Sequence, residues 1–578
     1  MSKGGRVAAA IAVVIAVGAA VVALWKPRFS RETAELVAEG AEKVLREPMR
    51  PARGAPRVLV FALDGVGAEA LETVIRGGRA RNIAHLVGGA RGGERGVYRH
   101  AYATPDVLSI LPSTTYATWT ALFTGQPAGI TGVTGNEWFE RESDRFYAPA
   151  PVTLTDYRQA LQVYSDQLMG TVAHAPTLYE QADVRAYVSL AALQRGADLV
   201  TMPDPTAFGE LVGATAEGLG DEGKGSVSRE LYQKLDMGAV GSLLGTIGKR
   251  GVADLQVVYF PGVDLWTHEA PNPLVAQRQY VETVVDSAVG EVLGAYRRRH
   301  ALKDTYILFV ADHGHTPVLD DDRHALGAEG DDEPPQVLRR AGFRVRPFEL
   351  EVKEEERTYQ AVVAYQGAMA YVYLADRSAC PRPADRCDWR RPPRMMEDVL
   401  PVVRAYDAAN RTGAGVPALR GAIDLVFARE PRPFGQPAAP YQVWDGARLL
   451  PIGEYLRAHP RPDLLELERR MNGLSAGPYG NHAGDVLLLA RTGMEQPIEG
   501  RFYFSGRYHS WHGSPTAQDS RIPLIVAQPG GDGRQLRARV RAAAGDHPSQ
   551  LDITRIILAL LGRPAATART VPAAPAVR

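Results

Sequence analysis

RVLVFALDGVG, residues 57–67, is the stretch that decides the fold. From Arg57 to Leu63 it is a continuous apolar run rich in β-branched residues, the pattern of a strand buried on both faces. It ends in Asp64 and a glycine. Similar runs recur at 184–190, Leu255–Phe260, 306–311, Val486–Ala490 and 522–527, with helical patterns such as 275–296 and 549–561 between several of them. Strands alternating with helices predict an α/β domain on a mainly parallel sheet.

The rhythm breaks at residue 319 and resumes at Gly484. The interval holds acidic clusters, many prolines and both cysteines of the chain. The expected organisation is therefore a catalytic α/β domain in two parts, 57–318 and 484–562, with an insertion or cap at 319–483. The tail, 563–578, is Ala/Pro-rich and expected to be disordered. Cys380 and Cys387, seven residues apart in CPRPADRC, are expected to close one small disulfide loop of an exported protein.

Upstream, residues 7–25 form an unbroken run of apolar residues and glycine flanked by Lys3, Arg6, Lys26 and Arg28. At ~1.5 Å per residue the run spans about 28 Å, enough for a hydrocarbon layer. Residues 1–28 are expected to be an uncleaved membrane anchor, with a long cleaved signal as the alternative, and 29–56 a linker that is helical over 31–46. The catalytic bulk is then expected outside the cytoplasm, at a bacterial inner membrane or in the periplasm. The formal net charge is zero, which disfavours polymeric nucleic acid as a partner. Oligomeric state is not legible.

Ligands of open α/β sheets gather where strands reach their carboxyl ends. There the sequence places Asp64 after the first strand, Asp264 and His268 in YFPGVDLWTHE, Asp312 and His313 in FVADHGH, and His512 shortly before the last strand. Each alone reads as a turn or helix cap. Together they form the carboxylate–imidazole set that zinc prefers, with manganese or iron also compatible. LPSTTYATWTALFTG, residues 111–125, adds a cluster of hydroxyls at a turn entering a helix, where partial positive charge favours an anion. An N-cap cluster is the plainer reading of that segment.

Taken as a set, these motifs resemble the nucleotide pyrophosphatase/phosphodiesterase family of the alkaline phosphatase superfamily. Pro112-Ser113-Thr114-Thr115-Tyr116 fits its nucleophile turn, Thr124-Gly125 its Thr-Gly, and Asn136 its asparagine twenty-one residues past the nucleophile. Asp264 and His268 fit its Asp-x-x-x-His pair, Asp312-His313 its Asp-His-Gly, and His512-Gly513 its late His-Gly. TLYEQADVRAYVSL and QLDITRIILALLG add similarity outside the motifs. The resemblance implies an alkaline-phosphatase-like three-layer sandwich with two zinc ions. Asp264, His268 and His512 would hold one zinc; Asp64, Asp312 and His313 the other, completed by the oxygen of Thr115.

The implied chemistry is in-line attack by Thr115 on phosphorus through a phospho-threonine intermediate. Asn136 would donate to a non-bridging oxygen, and activity would favour neutral to alkaline pH. Tyr116, Trp119 and Trp266 are the candidate substrate contacts. The sequence departs from the family at Ala117-Thr118-Trp119, at Trp266 and at His315, so the resemblance does not name a leaving group. The expected substrate is a nucleotide, a nucleotide sugar or a lipid head group. A phosphomonoesterase of the same superfamily, or an anchored non-catalytic zinc-binding scaffold, are the alternatives.

Overall fold

The computed structural model describes residues 41–563 apart from 92–93, 153, 155, 204–227, 328–332 and 434. An eight-stranded sheet runs in the order Glu42–Val44, Leu199–Thr201, Ala186–Ser189, Leu255–Phe260, Arg57–Leu63, Thr305–Ala311, Leu524–Ala527, Ala101–Ala103. From Leu199–Thr201 to Thr305–Ala311 the strands are parallel; the first strand and the last two join antiparallel. The sheet is thus mixed, with a parallel centre.

Alternate residues of the Arg57–Leu63 strand enter two cores. Val58, Val60 and Ala62 face the helices Thr115–Thr124 and Asp552–Leu560. Leu59, Phe61 and Leu63 face Ala68–Gly77, Arg229–Arg250 and Asp286–Arg298. Burial on both faces is why the strand reads as one apolar run.

Register positions the site. Leu63 is paired with Phe260 on one side and with Ala311 on the other. Three central parallel strands therefore end level, and the residues that follow them emerge at one edge.

Two expectations are corrected here. Val486–Ala490 is not in the main sheet. It is a central strand of a second, antiparallel sheet ordered Ala361–Gln366, Met369–Leu374, Val486–Ala490, Ile423–Ala428, Gln442–Trp444, Leu449–Pro451. Leu487 and Leu489 face one core while Val486, Leu488 and Ala490 face another, so it carries the same uninterrupted apolar signature as a parallel strand. The second correction lies at Glu42–Val44. These residues form an edge strand on Leu199–Thr201, with Leu45 N–H donating to Asp198 O at 2.9 Å, where the end of a helix was expected. The expected anchor at 1–28, the start of the linker and the tail beyond 563 lie outside the described residues. Among the described residues no helix is long and apolar enough to cross a membrane. Cys380 and Cys387 are joined by a disulfide.

The second sheet is no detached cap. One of its cores contains Ala117 and Ala121 of the Thr115–Thr124 helix. The hairpin turn after Gln366 also reaches the edge where the level strands end: Ala368 N–H donates to His512 O at 3.0 Å.

Candidate active site

Asp64 and Asp312 follow the paired residues Leu63 and Ala311 directly. The helix Gly262–Glu269, which starts just past Phe260, presents Asp264 and His268 one turn apart on its buried face. His512 is delivered by the strand pair Thr316–Pro317 and Ser510–Trp511. The structure brings all six expected ligands together. The side-chain donor atoms of Asp264, His268 and His512 lie within 4.8 Å of one another, as do those of Asp64, Asp312 and His313.

The hydrogen bonds set which lone pairs face inward. His268 Nδ1 donates to Ser510 O at 2.6 Å, His512 Nδ1 to Ser113 O at 2.9 Å and His313 Nδ1 to Gly314 O at 3.1 Å. A carbonyl only accepts, so each neutral imidazole keeps its Nε2 lone pair for the site. His313 Nε2 lies 3.1 Å from Asp312 Oδ2 and 3.5 Å from Asp64 Oδ1. Asp64 Oδ2 is held from behind by Tyr259 O–H and by Trp119 Nε1–H at 3.4 Å, whereas its buried Oδ1 accepts no hydrogen bond.

Lone pairs facing lone pairs in a buried site repel unless a cation joins them, and the titration directions agree. Burial, with the charge of Asp312, raises the Asp64 carboxyl well above the usual range; burial, against the Gly65 amide, pushes Asp312 up to about 8. Burial raises Asp264 too, but the imidazoles of His268 and His315 more than offset it and hold that carboxyl low. Burial depresses His268 to about 4 and His313 to about 3, keeping both neutral. The donor set fits divalent cations.

Thr115 opens the helix Thr115–Thr124, and between Leu111 and Thr124 only Thr115 is not buried. Its Oγ1 lies 3.4 Å from His313 Nε2. Two neighbouring hydroxyls are committed elsewhere: Ser113 donates to Ser514 O at 3.0 Å and Thr118 to Thr114 O at 2.6 Å. Asn136 Oδ1 accepts from Tyr116 N–H at 3.1 Å, which turns the Asn136 amide group with its NH2 away from that bond. Gln366 of the second sheet fixes the Asn136 backbone, accepting its N–H at 2.7 Å, and donates to Glu137 O.

The proposed substrate contacts need correcting. Trp119 lies one helical turn beyond Thr115, buried against Phe123 and Tyr259, and backs the Asp64 carboxylate. Trp266 falls about 200° round the helix from Asp264 and His268 and lies half-buried against the core beneath the main sheet. Tyr116 is also buried in a core and contributes its backbone amide. Tyr259, Gln366, Ser510 and His315 were not among the expected site residues. For the first three no local motif signals them, while His315 stood next to a recognised motif.

The helix that carries Asp264 and His268 is capped by a buried acid. Asp236 accepts from Gly262 N–H at 3.2 Å and from Tyr280 O–H at 2.9 Å. Burial, against those two bonds, pushes its carboxyl up to about 7. A carboxyl raised on folding contributes stability below its unfolded value near ~3.9 and loses it as pH rises towards 7. Asp236→Asn keeps the shape and cannot ionise. Urea unfolding is expected to show the variant gaining on wild type between pH 4 and 8, by up to about 4 kcal/mol. A pH-independent difference would refute the assignment.

A family model described as type I phosphodiesterase / nucleotide pyrophosphatase matches residues 58–380, more than half of the chain. Among solved structures, murine ectonucleotide pyrophosphatase / phosphodiesterase 5 is similar at 11% identity over 89% of this chain and 97% of that one, with a TM-score of 0.47. The same mouse protein in an inactive form in complex with AMP is similar at 11% identity over 89% and 96%, with a TM-score of 0.46. No curated protein matches.

Proposed function

The chain belongs to the type I phosphodiesterase / nucleotide pyrophosphatase family and is a phosphoric ester hydrolase, and from that premise we propose a zinc-dependent phosphodiesterase that works through a phospho-threonine intermediate on Thr115. The observation that carries the reading is the convergence of three carboxylates and three inward imidazole lone pairs beside the one partly exposed hydroxyl of its segment. Asp264, His268 and His512 would hold one cation, and Asp64, Asp312 and His313 the other. Manganese or iron would suit the same donors. Bound there, two divalent cations supply Lewis-acid charge to the phosphoryl oxygens and to the reacting hydroxyl.

The chain's own residues do the rest. Thr115 Oγ, its proton released to solvent, bonds to phosphorus as the bond to the leaving oxygen breaks, and that oxygen takes a proton from water. A water molecule then adds to phosphorus and gives up a proton, the bond to Thr115 breaks, its Oγ takes back a proton from solvent, and the monoester product departs. The N-terminus of the Thr115–Thr124 helix favours the anion throughout. Asn136, held by Tyr116 and Gln366, donates its NH2 to a non-bridging oxygen as charge grows on it. Asn136→Ala is expected to lower kcat by about 10²–10³ while leaving zinc content unchanged; a loss in KM alone would remove it from this role.

The substrate class is tested by comparing p-nitrophenyl phosphate with the p-nitrophenyl ester of thymidine 5′-monophosphate. The diester is expected to react with the higher kcat/KM, and preference for the monoester would replace this reading by a phosphomonoesterase. Nucleotides, nucleotide sugars and lipid head groups all offer the required phosphoester. A location outside the cytoplasm belongs to the same proposal, supported by the Cys380–Cys387 disulfide.

A further inference from the structure

His315, one residue beyond the Asp-His-Gly motif, is fully buried among the expected ligands without being one of them. Its Nδ1 lies 3.0 Å from Ser510 Oγ. The Ser510 hydroxyl proton is committed to the Thr267 carbonyl at 2.9 Å, so Ser510 Oγ accepts from His315 Nδ1–H. In the neutral ring this leaves a lone pair on Nε2, and Nε2 lies 2.7 Å from Asp264 Oδ1. A lone pair and a carboxylate oxygen at that distance repel unless a positive charge lies with them.

The same grammar governs the other three imidazoles. Each donates Nδ1–H to a fixed acceptor and turns Nε2 inward: His313 and His512 Nε2 are each 4.0 Å from Asp264 Oδ1, and His268 Nε2 is 3.6 Å from Asp264 Oδ2. Asp264, His313 and His315 form a third set whose donor atoms lie within 4.8 Å of one another. Space is set aside for this meeting. A Cβ on Gly65, at φ +69°, would stand 2.5 Å from His315 Nε2 and 2.7 Å from Asp264 Oδ1.

We propose that His315 is a fourth imidazole ligand of the metal centre, sharing a cation with Asp264 through Nε2, with Ser510 as the residue that fixes its tautomer. The inference rests on the metal-dependent reading above. Zinc affinity is read by chelator competition, and the number of zinc-bound imidazoles by X-ray absorption, on the purified full chain. His315→Gln and His315→Leu are both expected to weaken zinc binding by more than about 100-fold and to remove one imidazole from the spectrum. Ser510→Ala, which keeps the ring, is expected to weaken it by about 10-fold with no imidazole lost. Thermal unfolding of the metal-free variants checks that each folds.

Wild-type affinity and imidazole number in His315→Gln, with loss only in His315→Leu, would overturn the proposal and make His315 a hydrogen-bond donor to Asp264. Wild-type protein that binds zinc through three imidazoles would overturn it while leaving the proposed function standing. Wild-type protein that binds no zinc would overturn both.

Discussion

Thr115→Ala is expected to lower kcat on a phosphodiester by about 10⁴-fold or more. That is beyond the 10²–10³ typical of one lost oxyanion donor and short of the ~10⁶ found when a covalent hydrolase loses its nucleophile. Four hydroxyls crowd the turn, and the structure separates them. Ser113 and Thr118 donate to carbonyls, Thr114 is buried without a hydrogen-bond partner, and Thr115 alone is partly exposed beside His313. No neighbour can take over without breaking the helix start. Because Thr115 contributes no more than one ligand oxygen, zinc content and thermal midpoint should change little. Acid quench during turnover of the thymidine 5′-monophosphate ester should leave thymidine monophosphate esterified to the 111–125 peptide in wild type and none in the variant. Activity within tenfold of wild type, or an unlabelled wild-type peptide, would rule Thr115 out as nucleophile.

The parts of this site that lie next to strands in the chain were readable before any coordinates. Asp64, Asp312 and His313 directly follow apolar runs, and Asp264 and His268 share a helical face by their four-residue spacing, so local patterns place them at one edge once the strands are parallel. Position around a helix was harder to use. Trp119 and Trp266 sit beside the reactive residues in sequence, but one lies a turn deeper, against Asp64, and the other on the opposite face. Supporting groups arrive from far away in the chain. Tyr259 meets Asp64 across 195 residues, Gln366 meets Asn136 across 230, and Ser510 meets His268 across 242. No local pattern announces such contacts. The second sheet was hidden for a further reason, because a strand buried on both faces looks the same whichever sheet it joins.

Removing the metal is expected to abolish turnover, with zinc restoring it, and to leave a protein whose stability falls as pH rises from 6.5 to 8. Asp312 is pushed up to about 8 and Asp64 well above the usual range, chiefly by burial. In the metal-free fold these acids are most comfortable protonated. Their contribution is fully present below the unfolded value near ~3.9 and is lost as pH climbs through the folded value. The imidazoles act in the opposite sense. His268 and His313, depressed by burial to about 4 and about 3, contribute above the unfolded value near ~6.5 and lose it as pH falls through the folded ones. Between pH 4 and 6.5 the two groups oppose each other. Above 6.5 the unfolded histidines lose the last of their protons, their effect fades within about one pH unit, and the raised carboxyls dominate. A bound cation takes the place of the missing protons, so the loaded protein should show only the smaller fall that Asp236, which holds no cation, contributes as pH passes about 7. Thermal midpoints of chelated and zinc-loaded protein at pH 6.5 and 8 measure the difference directly. If the chelated protein loses no more stability between pH 6.5 and 8 than the loaded protein does, the carboxylates are not crowded as described, and the need for cations at this edge of the sheet goes with them.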